Sequence, residues 1–81
     1  MKLIEIKQSY ISAEMISCLG KTDLGREFRD RYVIWIRLMG DDPEGNSDWE
    51  ACFEDMSERD TAFMDLLEFL MKDREGILKL N

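Results

Sequence analysis

Residues 57–76 read SERDTAFMDLLEFLMKDREG, and their reading as a single long helix decides the fold. Ser57 offers a side-chain oxygen to the free N–H groups of a first turn, and Asp60 answers it three residues later as a shortened capping box. Asp55, Glu58 and Asp60 put negative charge at the positive end of the helix dipole, and Lys72 and Arg74 put positive charge at the other. Gly76 is placed to stop the helix, with Ile77 folding back after it. At about 100° per residue, Ala62, Phe63, Met64, Leu66, Leu67, Phe69, Leu70 and Met71 cover an arc of about 220°. A helix resting on one sheet needs little more than about 100°. Either the flank with Met64 and Met71 or the one with Ala62 and Phe69 therefore needs another cover. The candidates are the first segments or the tail Ile77-Leu78-Lys79-Leu80, and a second subunit or partner protein.

Working outward from the helix, Trp49-Glu50-Ala51-Cys52-Phe53 alternates apolar and polar residues, as a half-buried strand does. Phe28 to Met39 is the strongest strand. Tyr32, Ile34, Ile36 and Leu38 make its core face, and Arg29, Arg31, Val33, Trp35 and Arg37 its outer face. Pairing these two strands so that residue numbers sum to about 87 sets Leu38 against Trp49, Ile36 against Ala51 and Ile34 against Phe53. On the outer face the same register sets Arg37 against Glu50, Val33 against Glu54, and Cys52 beside Trp35. Between the strands, Gly40-Asp41-Asp42-Pro43-Glu44-Gly45-Asn46-Ser47-Asp48 has the composition of a hairpin connector. Its acids do not fit a calcium loop, because the frame that puts Gly45 sixth puts Gly40, which has no ligand atom, first.

At the front, Leu3-Ile4-Glu5-Ile6-Lys7 reads as a strand and Gln8-Ser9 as a tight turn into Tyr10-Ile11-Ser12. Ser12 to Leu19 admits either a short helix or a bend at Ala13-Glu14-Met15 followed by a strand. The bend is preferred, since so short a helix is marginal. Gly20 to Gly25 reads as a loop. Its Gly-Lys-Thr lacks the upstream glycine of a phosphate-binding loop, Met15 standing in that place.

The chain has 81 residues, enough for one domain, which buries only about 60% of its unfolded surface. Its net charge is −7, unevenly spread: residues 1–40 balance at +2 and residues 41–81 at −9. No basic patch marks a nucleic-acid binder, and no apolar run is long enough to span a membrane. The start, Met-Lys-Leu-Ile-Glu, meets charge too early for a signal peptide, so the expected location is cytoplasmic, with Cys18 and Cys52 as reduced thiols.

Histidine is absent, which removes the commonest general base and the commonest metal ligand. Two isolated cysteines make neither a zinc site nor a redox pair. No enzyme, cofactor or metal is therefore expected.

The strand segments, with Tyr10-Ile11-Ser12-Ala13-Glu14-Met15-Ile16 near the front and Trp49-Glu50-Ala51-Cys52-Phe53 leading into Ser57-Glu58-Arg59-Asp60, resemble small bacterial and phage proteins of β-β-β-α type. The resemblance is one of pattern over most of the chain, and implies a fold but no activity.

The sequence thus predicts an α+β domain, an antiparallel sheet of three to four strands with one long C-terminal helix on one face. Tyr32, Ile34, Ile36, Leu38, Trp49, Ala51, Phe53, Phe63, Leu66, Leu67 and Leu70 form its expected core. The expected function is a non-enzymatic intracellular interaction module that pairs with itself or a protein partner through Arg31, Val33, Trp35, Arg37, Met64 and Met71. The alternative is an acidic phage-type inhibitor that sets Asp41, Asp42, Glu44, Asp48, Glu50 and Glu54 in a nucleic-acid-binding site. On the first reading, Trp35→Ala weakens association by at least about 2 kcal/mol. It also costs less fold stability than Ile34→Ala, for which about 2–5 kcal/mol is expected. Paired binding and urea-unfolding measurements check both, and equal unfolding of the two variants would make Trp35 a core residue.

Overall fold

The computed structural model describes residues 1–40, 48–72 and 75–80. Among them the chain order is β1 (Lys2–Ile6), β2 (Ser9–Ser12), a 3-10 turn (Ala13–Met15), β3 (Ile16–Asp23), β4 (Tyr32–Leu38), β5 (Trp49–Phe53), α1 (Met56–Met71) and β6 (Gly76–Lys79). The class is α+β. The single antiparallel sheet is corrected to two sheets of three strands each. The central sheet has order β3-β4-β5 and is antiparallel throughout. The N-terminal sheet has order β2-β1-β6: β1 pairs antiparallel with β2 and parallel with β6.

Both sheets turn an apolar face to one core. Ile4, Ile6 and Ile11 come from the N-terminal sheet, Ile34, Ile36 and Ala51 from the central sheet, Leu66 from α1, and Leu80 from the tail. Leu38, Trp49, Phe53, Phe63 and Leu70 pack against them half-buried. Ile34, Ile36 and Leu38 of β4 face the core as expected, and the first segments and the tail, expected only as a candidate cover for the helix, supply Ile4, Ile6, Ile11 and Leu80 to it. Tyr32 leaves the core and lies beside two arginines, with Arg31 and Arg59 over its ring at 4.9 and 5.5 Å.

The β4–β5 register is two residues from the expected one. Ile34 pairs with Ala51 and Ile36 with Trp49, so paired numbers sum to 85, and Leu38 faces Ile16 on β3 instead. A slip of two keeps every side chain on its face, so alternation alone cannot separate the two registers. The charge pairs shift with it: Arg37 meets Asp48, at 3.0 Å, and Glu54 meets Arg29.

Other boundaries move for local reasons. The bend-then-strand reading of 13–19 holds, but β3 runs on through Gly20-Lys21-Thr22-Asp23, expected as loop, because β4 supplies a ladder as far as Tyr32. Phe28–Arg31 lie outside β4; a turn closes there, with the Phe28 N–H donating to Gly25 O at 3.0 Å. The N-cap is Asp55, whose carboxylate accepts from the Ser57 N–H at 2.9 Å, two residues before the expected Ser57. Gly76 does not end the helix. α1 stops at Met71, and Gly76, at φ 140°, opens β6. Arg74 and the connector residues Asp41, Asp42 and Glu44 lie outside the described residues.

Two cationic side chains pin the helix at its ends. Arg59, only 5% exposed, donates to Asp23 at 2.8 Å, to Thr22 O at 3.1 Å and to Asp60 at 2.7 Å, fixing the first turns of α1 to the end of β3. Burial by itself pushes its guanidinium down, but hydrogen bonds and charge from Asp23 and Asp60 outweigh that and leave it above its ordinary value. Conversely, the Arg59 hydrogen bond holds Asp60 below the usual carboxylate value. At the other end, Lys2 donates to Leu70 O at 3.2 Å and to Lys72 O. A strand residue thus satisfies carbonyls that the helix leaves open.

The β1–β2 hairpin closes through Lys7 and Gln8, one residue earlier than expected. Both have positive φ, 49° and 69°, between the paired Ile6 and Ser9. This two-residue turn favours Asn-Gly, and neither Lys nor Gln adopts that backbone without strain. Lys7→Asn with Gln8→Gly should raise stability by about 1 kcal/mol. Urea unfolding checks it: the midpoint rises with an unchanged slope, and an unmoved midpoint would mean that the turn stores no strain.

Candidate interaction surfaces

The outer face of the central sheet is a grid set by the register. Cys18, Gly20 and Thr22 on β3 stand opposite Arg37, Trp35 and Val33 on β4, and on β5 Glu50 stands opposite Trp35 and Cys52 opposite Val33. Trp35 is half-buried because its indole lies across Gly20: a Cβ built there would come within 2.6 Å of the ring. Only glycine leaves room for that approach. Arg37 sits over the same ring at 6.0 Å while its guanidinium grips both oxygens of Asp48 at 3.0 and 3.3 Å.

Val33, expected as an exposed contact residue, is fully buried. It is the second residue of the middle strand, with Thr22 and Cys52 on either side and Trp35 and Arg31 two residues away along the chain. These two large neighbours, Trp35 and Arg31, flank so small a side chain. Val33 therefore leaves the set of contact residues. Arg31 is turned back to the Tyr32 hydroxyl at 2.7 Å. Cys18 and Cys52 share this face but are two strands and four β4 positions apart. That is on the order of 15 Å, too far for a disulfide.

The acidic residues do not gather into one described edge. Asp48 is held by Arg37 and Glu54 by Arg29, Glu50 stands opposite Trp35, and the other three lie outside the described residues.

The helix presents a different surface. All six methionines of the chain lie at the surface, although methionine is among the residue types most often buried. Three of them are on α1: Met56 is 49% exposed, Met64 65% and Met71 86%. At about 100° per residue they fall within an arc of about 80°. Leu67, half-buried, shares that arc, as does Asp60. One border is the buried side of the helix with Phe63 and Leu70, and the other is the polar stripe with Thr61, Asp65, Glu68 and Lys72. A shallow depression of about 450 Å³ opens between Met56 and Met64, rimmed by Ser57, Asp60, Thr61 and Asp65.

The wide apolar arc is thus divided. Ala62 and Phe69, on one flank, are half-buried against the shared core, with Lys2 over the Phe69 ring at 6.0 Å. The flank with Met64 and Met71 stays open. Met56 escaped the sequence reading because the helix was started at Ser57, one residue too late to include it. Its spacing of eight from Met64 was the available signal. Met64 and Met71 do not join Trp35 in one surface, since the helix packs on the inner face of the central sheet and Trp35 lies on the outer one.

No protein-family model matches the chain, and no curated protein or solved structure matches it. The β-β-β-α resemblance rests on sequence pattern alone. Among the described residues no helix is long and apolar enough to cross a membrane, and no group of three or more His, Cys, Asp or Glu side chains is placed to hold a metal ion.

The contact between Trp35 and Gly20 is open to test. Gly20→Ala should cost about 1–3 kcal/mol by driving the indole off the strand, and should cost much less in a Trp35→Ala background. A double-mutant cycle by urea unfolding reads this, and additive costs would mean that the ring does not need the glycine.

Proposed function

We propose that this chain is a non-enzymatic protein-interaction module whose docking face is the open arc of α1. The observation that supports this reading is the row Met56, Met64 and Met71, exposed along a helix whose other apolar flanks are covered. Unbranched, polarisable methionine side chains adapt to different partners, and surfaces built from them serve as docking sites. A contiguous exposed apolar strip carries a free-energy cost in water that an isolated exposed side chain does not. The outer sheet face is the weaker candidate. Its tryptophan packs on Gly20, its valine is buried, and Arg31, Arg37, Asp48 and Glu54 already have partners. The acidic-inhibitor reading loses support by the same pairing, because carboxylates neutralised by arginine mimic phosphates poorly.

A photoreactive phenylalanine analogue placed at position 64, and separately at position 35, tests the proposal in cells that make the protein. The expected result is a discrete crosslinked product from position 64 that Met71→Lys reduces by at least about tenfold, the equivalent of about 1.4 kcal/mol. Crosslinking from position 35 alone would move the docking face to the sheet. Crosslinking from neither position would remove the interaction reading.

A further inference from the structure

Resting on the α1 docking reading, the charge around the arc narrows what can occupy it. Asp60 lies within the arc, and Asp65 and Glu68 lie in the polar stripe beside it; Asp60 and Asp65 rim the depression between Met56 and Met64. The cations of the same helix engage two of these carboxylates, Arg59 holding Asp60 as well as Asp23 and Lys72 reaching Glu68, but residues 55–72 still hold five Asp/Glu against two Lys/Arg. The surface offered to a partner is therefore methionine edged with carboxylate.

A second copy is a poor occupant. Pairing α1 with itself would bring together two helices that each hold five Asp/Glu against two Lys/Arg over residues 55–72, and each chain carries a net charge of −7. Like charges facing one another across an interface cost several kcal/mol. A straight row of anchors from residue 56 to residue 71 extends about 22 Å along a helix, which suits a rod-like partner that presents its own apolar stripe.

We infer that the occupant of the arc is a basic amphipathic helix of another protein. Its apolar stripe would pack on Met56, Met64 and Met71, and its lysines or arginines would face Asp65 and the net negative charge of residues 55–72, Asp60 and Glu68 being shared with Arg59, Lys21 and Lys72. The methionines supply adaptable apolar contact. The carboxylates set polarity, speed encounter and discriminate against acidic helices. Lys21, which holds Asp60 at 3.4 Å and sits over the Phe63 ring at 5.3 Å, marks the border of the docking face towards β3.

Three synthetic helices of about 18 residues, some five turns, serve as probes against the intact purified chain. One carries a leucine stripe flanked by lysines, one the same stripe flanked by glutamates, and one the composition of the first in scrambled order. Binding is followed by fluorescence anisotropy and by methyl NMR of the six methionines. The leucine–lysine peptide should bind and shift the methyls of Met56, Met64 and Met71, leaving those of Met1, Met15 and Met39 in place. Met64→Lys with Met71→Lys should weaken binding by at least about 30-fold, the effect of losing a hot spot, with an unchanged thermal melt. The glutamate and scrambled peptides should each bind at least about tenfold more weakly.

Equal binding of the lysine and glutamate peptides would overturn the basic-partner inference while leaving the docking reading intact. Equal binding of the scrambled peptide would reduce the interaction to bulk charge attraction and overturn it as well. A concentration-dependent dimer in light scattering that the double variant dissolves would assign the arc to a second copy. No binding of any peptide, with crosslinking from position 64 retained, would reject the helix as the partner's form.

Discussion

Every other feature of this molecule depends on the layer where Ile4 and Ile6 of one sheet meet Ile34 and Ile36 of the other, closed by Leu66 of the helix. None of these five side chains is more than 1% exposed. Neither sheet has more than three strands, and the N-terminal one includes strands of only four and five residues. Sheets so small are marginal unless an apolar face is covered. Each contributes to covering the other, and the helix that packs on their shared core buries apolar side chains on more than one flank. The covered part of its apolar arc follows from that geometry, and the exposed flank with Met64 and Met71 does not.

The ends of the helix show how the two sheets are kept in place around it. Arg59 reaches from the first turns to the end of β3, and Lys2 reaches from β1 to the last turns. The buried guanidinium is held by three acceptors, and two of them, Asp23 and Asp60, remain partly open to water. That arrangement avoids the largest part of the cost of burying an ion pair, because only the cation is withdrawn from solvent. The parallel partner of β1 is β6, and the tail continues past it, with the Leu80 N–H donating to Glu5 O at 2.9 Å. The C-terminal segment thus returns to the first strand and places Leu80 in the core.

What remains outside this construction defines the surfaces available to partners. The outer face of the central sheet is largely self-satisfied: ring on glycine, arginine on ring, arginine on carboxylate. The third arc of α1 is not, since neither sheet reaches it. The contrast argues for the helix over the sheet. Tryptophan and arginine are common at interfaces, but here they are engaged within their own sheet, whereas the methionines meet solvent.

Period-two alternation in Tyr32–Leu38 and Trp49–Phe53 determined which residues face the core, because the pleat alone fixes it. The bend at Ala13-Glu14-Met15 was the preferred of two readings, and residues 57–76 read as helix, of which 57–71 are helical. Those are local properties. The register of β5 was not legible, because a shift of two residues leaves every face unchanged and only the packed core selects one pairing. The second sheet was not legible either: β1 and β6 are joined across more than 70 positions, and nothing local announces a parallel pair. Burial of Val33 was decided by its neighbours along the chain and on two other strands, and the exposure of Met64 and Met71 by where the two sheets stop. The sequence determined faces and elements through local stereochemistry. The tertiary structure decided which apolar surface was left over, because that depends on how two sheets and one helix divide a single core.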